Sequence, residues 1–327
     1  MKKIIILVFV SVFISAIFAQ QEQGSRQENF GHFTIHYYPE DQKSVSKTAQ
    51  ILNEAYGELS AYFNFHPVDE IEVYLVSSTD HFKSYFGQSY HDKFQGVAFL
   101  EHNMIVIKTP SLLPLGSIDY EKVIAHELCH LFLSDFAGAD TIPRWLHEGI
   151  AMYLEPIWYW GGFRQIVLPR AYLADRLIPL CALCDSFPPD ENLMQTAYVQ
   201  SRDFTAYLMN RYGKKKLLLL LKRLKDTGDV NGSLILTYGE GLDGLEADWK
   251  LELKKRYNWI YLFVQSRFFW FVMSVVAAFG YLLIRIRRKR AFSELPDEEC
   301  ESLPDDTDDN EPADQSGSGN QNKKGIL

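Results

Sequence analysis

The stretch FFWFVMSVVAAFGYLLI, Phe268 to Ile284, holds seventeen residues without a charge and runs straight into RIRRKR, Arg285 to Arg290. In hydrocarbon the backbone must satisfy its own polar groups, so a run of this kind folds as a helix. Its length is at the short end of a bilayer span. The upstream WIYLFVQSR lengthens it, with Trp259, Tyr261 and Trp270 suited to the interface and Arg267 able to snorkel outward. A helix buried in a protein core is the alternative, and the basic flank argues against it. Positive residues mark the cytoplasmic side. Residues 259–284 are therefore expected as one transmembrane helix, with residues 20–258 outside the cytoplasm and the C-terminus inside.

The N-terminus adds a second apolar run. Lys2 and Lys3 precede Ile4 to Phe18, then Ala19 and polar sequence follow, the layout of a secretory signal over residues 1–19. After the span, residues 285–327 read as a basic stop-transfer segment and a disordered cytoplasmic tail. From Ala291 to Leu327 the tail holds eleven Asp or Glu and two Lys, which equals the net charge of −9 for the whole chain. The acidity thus belongs to the tail, the rest is formally neutral, and no basic patch points to nucleic acid. Of four cysteines only Cys181 and Cys184, in CALC, form a plausible pair. They are too few for a disulfide scaffold or a structural zinc site.

Between the two apolar segments the pattern changes once. HFTIHYY, IEVYLVSS and the two halves of GVAFLEHNMIVIKTP, split around Glu101, His102 and Asn103, alternate as strands. SVSKTAQILNEAYGELSAYFNF reads as an amphipathic helix between the first two. After Pro114 the character is helical: SIDYEKVIAHELCHLFLSDF, IPRWLHEGIAMYLEP, ENLMQTAYVQSRDFTAYLMNRYG, KKKLLLLLKRLKD and LDGLEADWKLELKKRY. A small mixed sheet followed by helices predicts an α+β domain in two lobes over residues 20–258, with the HELCH helix at their junction.

On that helix His126 and His130, four residues apart, share a face, and Glu127 is turned about 100° from His126. The two imidazoles can hold zinc while the carboxylate takes a proton from the attacking water and later delivers one to the leaving amine. Both histidines must be neutral to bind, so activity is expected to fall as pH drops through their titration. A third ligand has to come from elsewhere. A glycine-histidine continuation is excluded by Leu133 and Phe136, which leaves Asp135, Asp140, His147 and Glu148. Glu148 lies in a second short amphipathic helix, beside Gly149, which permits close approach to the first helix, and it is our choice.

HELCH, with seventeen residues between His130 and Glu148, and then WLHEGIAMYLE resemble the gluzincin metallopeptidases, most of all their small peptidase-MA-like branch. The resemblance covers residues 30–257. It implies a zincin-like fold, one Zn2+ per chain on His126, His130 and Glu148, Glu127 as catalytic base and acid, and a peptide or protein substrate. GVAF, Gly96, Val97, Ala98 and Phe99, resembles the edge strand that pairs with substrate backbone, and an open sheet edge binds extended peptides on physical grounds as well. Tyr198 lies in the stretch resembling the family's late helix. It is a candidate for stabilising the carbonyl oxygen as that oxygen becomes negative, against the alternative of a packing residue among eighteen tyrosines.

Two departures qualify the resemblance. Phe99 stands where the aminopeptidases have the glutamate that grips a free amine, which favours an endopeptidase. Met152 stands where the thermolysin-like enzymes have the aspartate that orients a histidine, which leaves the histidines without an assigned partner. His147 is expected at the surface or behind the ligands. The competing classes are a membrane-anchored peptide-binding module that keeps the fold without turnover, and an adaptor acting through its acidic tail.

Overall fold

The computed structural model describes residues 24–67, 70–85, 95–113, 117–138, 140–155, 164–258 and 267–293. The expected signal, the first residues of the expected span and nearly all of the tail lie outside the described residues. The chain divides into two compact units, one ending at Ser266 and the other beginning at Arg267.

The first unit opens with β1 (Arg26–Asn29), β2 (Phe33–Tyr37), α1 (Gln42–Phe63), β3 (Ile71–Val76), the short α2 (Thr79–Ser84), β4 (Gly96–Phe99) and β5 (Met104–Lys108). The helices that follow are α3 (Ser117–Ala137), α4 (Arg144–Leu154), α5 (Arg164–Leu173), α6 (Glu191–Tyr212), α7 (Lys214–Thr227), α8 (Val230–Tyr238) and α9 (Leu242–Arg256). This is the α+β order expected, sheet first and helices after.

The five strands run in the order β1-β2-β3-β5-β4. The β2–β3 and β3–β5 pairs are parallel, while β1 and β4 pair antiparallel at the two edges. Alternation sets the faces: Phe33, Ile35, Val73, Leu75, Ile105 and Ile107 point into the main core, and Tyr74, Val76, Met104 and Val106 into a smaller cluster on the other face. α1 lays the stripe Val45, Ala49, Leu52, Tyr56, Leu59 and Phe63 on the core face, with the spacing of three and four that one helix face requires.

α3 is buried along most of its length, with Val123, Ile124, Leu128, Leu131, Phe132 and Leu133 all in the core. A helix apolar on so many sides is central by necessity. Phe132 meets Tyr56 edge-on at 5.1 Å from the sheet-side layer. At the other end Lys225 of α7 donates to the carbonyls of Asp135 and Phe136 at 3.1 and 3.3 Å, closing the helix C-terminus with a cation. α6 is tied to α9 by Asp203, which accepts from Trp249 Nε1 at 2.8 Å and from Arg256.

Four elements escape the sequence reading, the short α2 among them. β1, RQEN, is fully exposed and polar, so it carries no alternation. α5 contains Pro169, and α8 reads VNGSLILTY, both poor helix sequences by propensity. Cys181 and Cys184 are unbonded, Cys181 at the surface.

The second unit contains α10 (Arg267–Ser293). Its segment Phe269–Arg288, 20 residues at mean hydropathy 2.0, is long and apolar enough to cross a membrane, and none of it is buried in protein.

Candidate metal centre and cleft

α3 carries His126, Glu127 and His130, and α4 crosses it with Glu148. Close packing against a third helix sets where α4 lies. A Cβ on Gly149 would collide with Thr205 Oγ1 and sit 2.6 Å from the Ser201 carbonyl oxygen, both on α6. The expectation that Gly149 admits α3 is therefore corrected: the glycine lets α4 press on α6, where Trp145 also meets Phe204 at 5.0 Å.

Pressed there, α4 turns Glu148 toward the two histidines. His126 Nε2 and His130 Nε2 are 3.1 Å apart, and Glu148 Oε2 lies 3.4 Å from the first and 3.7 Å from the second. The residues form a group that could hold a metal ion. The donor set fits such an ion: bonds of about 2.0–2.2 Å in a tetrahedral shell put neighbouring donors about 3.3–3.6 Å apart. Glu148 Oε2 is buried and has no hydrogen-bond partner among the described residues, a costly state for a carboxylate oxygen that a cation would relieve. Of the other candidates, Asp135 and Asp140 are exposed. His147 is buried rather than at the surface, its ring stacked on His130 at 4.5 Å and 4°.

Two residues the sequence reading missed complete the frame. Arg144, one turn before Glu148, holds Glu148 Oε1 at 2.6 Å, which leaves Oε2 for the histidines. Glu155 accepts from His126 Nδ1 at 3.0 Å and is paired with Lys122 at 3.5 Å. It supplies the histidine partner that Met152 cannot. Glu155 is seven residues past Glu148, two turns along the same face, but it has left the helix with φ −60° and ψ 147°. The next residue is Pro156, whose ring disfavours helical geometry in the residue before it. The i,i+4 spacing of Arg144 and Glu148 was legible; the outward step at Glu155 was not.

The charges follow from burial and these contacts. Burial alone would lower the His126 pKa, but the close approach of Glu148, the hydrogen bond to Glu155 and the neighbouring carboxylate charges carry it up to about 10. Burial dominates at His130 and holds it well below its usual value, and it takes His147 down to about 4. Glu148 resists burial: the histidines and Arg144 hold its carboxyl well below the usual carboxylate range. Glu127 goes the other way, raised to about 7 chiefly by burial and opposed by His126, by a hydrogen bond from the Ala98 N–H and by Arg144.

That Ala98 contact joins α3 to the sheet edge. β4 pairs Gly96 with Ile107 and Phe99 with Met104, and Lys108 N donates to Gln95 O. In an antiparallel ladder this alternation turns the N–H and C=O of Gly96 and Ala98 away from β5. A Cβ on Gly96 would meet Val123 Cγ1 at 2.6 Å and Glu127 Cγ at 2.9 Å, so glycine lets the edge strand lie on the Glu127 side of α3. Val97 and Phe99 pack on the opposite cluster. Tyr198, on α6, meets Phe187 edge-on at 5.0 Å. Burial pushes its pKa above the usual phenol value, opposed by the neighbouring Arg144 charge. The structure thus brings Tyr198 to the Arg144 side of the site.

Paired histidines on a buried helix, a glutamate from a crossing helix and an edge strand beside them define a peptidase-like domain with a site able to hold a metal ion. Residues 53–255 match the family described as the peptidase MA superfamily, more than half of the chain, and the chain belongs to that family. No curated protein sequence matches it.

Proposed function

We propose that the chain is a zinc metallopeptidase of the gluzincin type, anchored by α10 and acting as an endopeptidase on extended peptide or protein segments. The single observation that carries this reading is the triangle of His126 Nε2, His130 Nε2 and Glu148 Oε2, with sides of 3.1, 3.4 and 3.7 Å, beside the buried carboxyl of Glu127. Two imidazoles and a carboxylate are a ligand set of catalytic zinc sites. One zinc per chain there would supply a Lewis acid that polarises the carbonyl under attack and acidifies water.

The chain's own residues do the rest. Glu127, with a pKa near neutrality, can take a proton on its carboxylate and return it to the leaving nitrogen. The Ala98 N–H fixes its position. The Gly96 N–H and the Gly96 and Ala98 carbonyls offer backbone groups to a peptide added as a further strand, which favours recognition tolerant of side chains. Tyr198 keeps its proton at all working pH values and can donate it to the carbonyl oxygen. Phe99, in place of an amine-gripping glutamate, favours internal over N-terminal cleavage. The reading also takes the sheet and the helical part as the two lobes of a zincin-like domain, with α3 between them.

Signal-like residues 1–19 and the basic residues after α10's apolar segment support a single-pass protein with residues 20–258 outside the cytoplasm and residues 285–327 inside. The test is zinc content and peptide cleavage by the purified full chain beside Glu148→Ala and Glu127→Gln. Expected are zinc lost in the first variant, and zinc kept but cleavage lost in the second. Zinc retained in Glu148→Ala overturns the ligand set. Cleavage retained in Glu127→Gln overturns the base.

A further inference from the structure

We infer that Arg144 and Tyr198 act together as a donor pair for the carbonyl oxygen of the bond being cut, an inference that rests on the peptidase reading above. The residues around the metal-binding triangle are enclosed, with the Glu148 side chain only 3% exposed, yet the Arg144 side chain is 49% exposed. One edge of its guanidinium is anchored on Glu148 Oε1 at 2.6 Å. That anchor is one carboxylate width from Oε2, the oxygen facing the histidines. The guanidinium therefore stands at the exposed rim of the site, next to where a carbonyl bound at the metal would lie.

Phe187 holds the pair together. The guanidinium carbon is 6.0 Å from the centre of its ring, and the Tyr198 ring packs edge-on against it at 5.0 Å. The Arg144 guanidinium also acts on the Tyr198 hydroxyl, its charge opposing the effect of burial there. A guanidinium has five N–H groups in a rigid fork, more than these two contacts use. Among the described residues Lys122 and Arg202 also lie near Glu155, and Lys122 is committed to that buried carboxylate. Arg144, anchored on the metal-facing glutamate, is thus a cation positioned to meet negative charge that develops on the carbonyl oxygen, and such preorganised donors act on the transition state rather than on substrate binding.

The test uses the full chain in detergent, loaded with zinc, as Arg144→Gln, Tyr198→Phe and the double variant. Zinc content, kcat and KM on one peptide, and the affinity of a phosphinic peptide are measured on the same preparations. The phosphinic oxygens carry the negative charge of the tetrahedral stage. Expected in each single variant are a full complement of zinc at saturating metal, kcat lower by about 10²–10³-fold with KM little changed, and phosphinic affinity falling in step. The double variant should lose less than the product of the two single losses, because the donors share one oxygen.

Zinc lost in parallel with kcat in Arg144→Gln would overturn the inference and reduce Arg144 to an orienter of Glu148. A raised KM at unchanged kcat would overturn it in favour of an acidic substrate side chain as the partner of Arg144. A wild-type chain that holds zinc but cuts nothing would sink the peptidase reading separately. Phosphinic affinity would then still decide the donor pair, surviving only if both single variants weaken it.

Discussion

Gly149→Ala tests whether helix packing sets the metal-binding triangle. At a neutral helix position the change would stabilise the chain by up to about 1 kcal/mol, because alanine is the better helix former. Here the new Cβ would stand 2.6 Å from the Ser201 carbonyl oxygen, and ordinary contact begins at 3.4 Å. Thr205 can rotate its hydroxyl away, but the Ser201 carbonyl is part of α6 and cannot. α4 must therefore back off by about 0.8 Å, and overpacking of this kind costs about 1–3 kcal/mol. That outweighs the gain in propensity, so the sign is destabilising. Melting is expected to fall by about 2–8 °C for a domain of this size.

Glu148 is the next residue and moves with the helix. Metal–ligand distances tolerate about 0.2 Å, so zinc affinity should drop by about tenfold to a hundredfold, the range for disturbing what orients a ligand. The assay is thermal melting with and without zinc, together with zinc competition against a chromophoric chelator. Thr205→Ala in the same background relieves only the side-chain clash, so it should restore part of the loss. A Gly149→Ala chain that melts and binds zinc like its parent would refute the argument.

Two further outcomes follow from the frame around the triangle. Glu155→Ala removes the acceptor at His126 Nδ1 and should weaken zinc binding by about 10–100-fold, with Glu155→Gln losing less because it keeps an acceptor oxygen; chelator competition measures both, and an unchanged affinity in the alanine variant contradicts the role. Without metal, His126 stays protonated through neutral pH, since its pKa is raised to about 10, while burial keeps His130 neutral. Zinc must displace that one proton, so affinity should rise with pH up to about 10 and fall toward acid. Calorimetry at pH 8 in buffers of different ionisation heat should report about one proton released per zinc, and no release would contradict the assignment.

What could be read from the sequence divides along physical lines. HELCH and WLHEGIAMYLE are local: residues four apart share a helix face whatever the neighbours do, so the face of His126 and His130 was legible before the fold. The alternating strands were legible for the same reason. β1 was not, because a polar edge strand has no buried face to write a pattern. Gly149 was recognisable as a point of close approach, but which helix approaches is a long-range fact, and α6 is more than fifty residues further along than the histidine helix. Glu155 was hidden twice, by the helix break that Pro156 imposes and by a partner on another element.

The same division predicts where the protein tolerates change. His126 and His130 ride on a helix whose remaining faces are core, and Glu148 rides on one clamped by Trp145 and Gly149, so the triangle cannot be loosened without disturbing packed apolar surface. Arg144 differs: it is anchored at one edge but half open to solvent, and α4 does not depend on its side chain for burial. Substitutions at Arg144 should therefore alter turnover while the fold persists, whereas substitutions one turn further into α4 should cost both together. A site whose ligands are part of the core and whose donor stands at the rim separates holding a metal from handling a substrate.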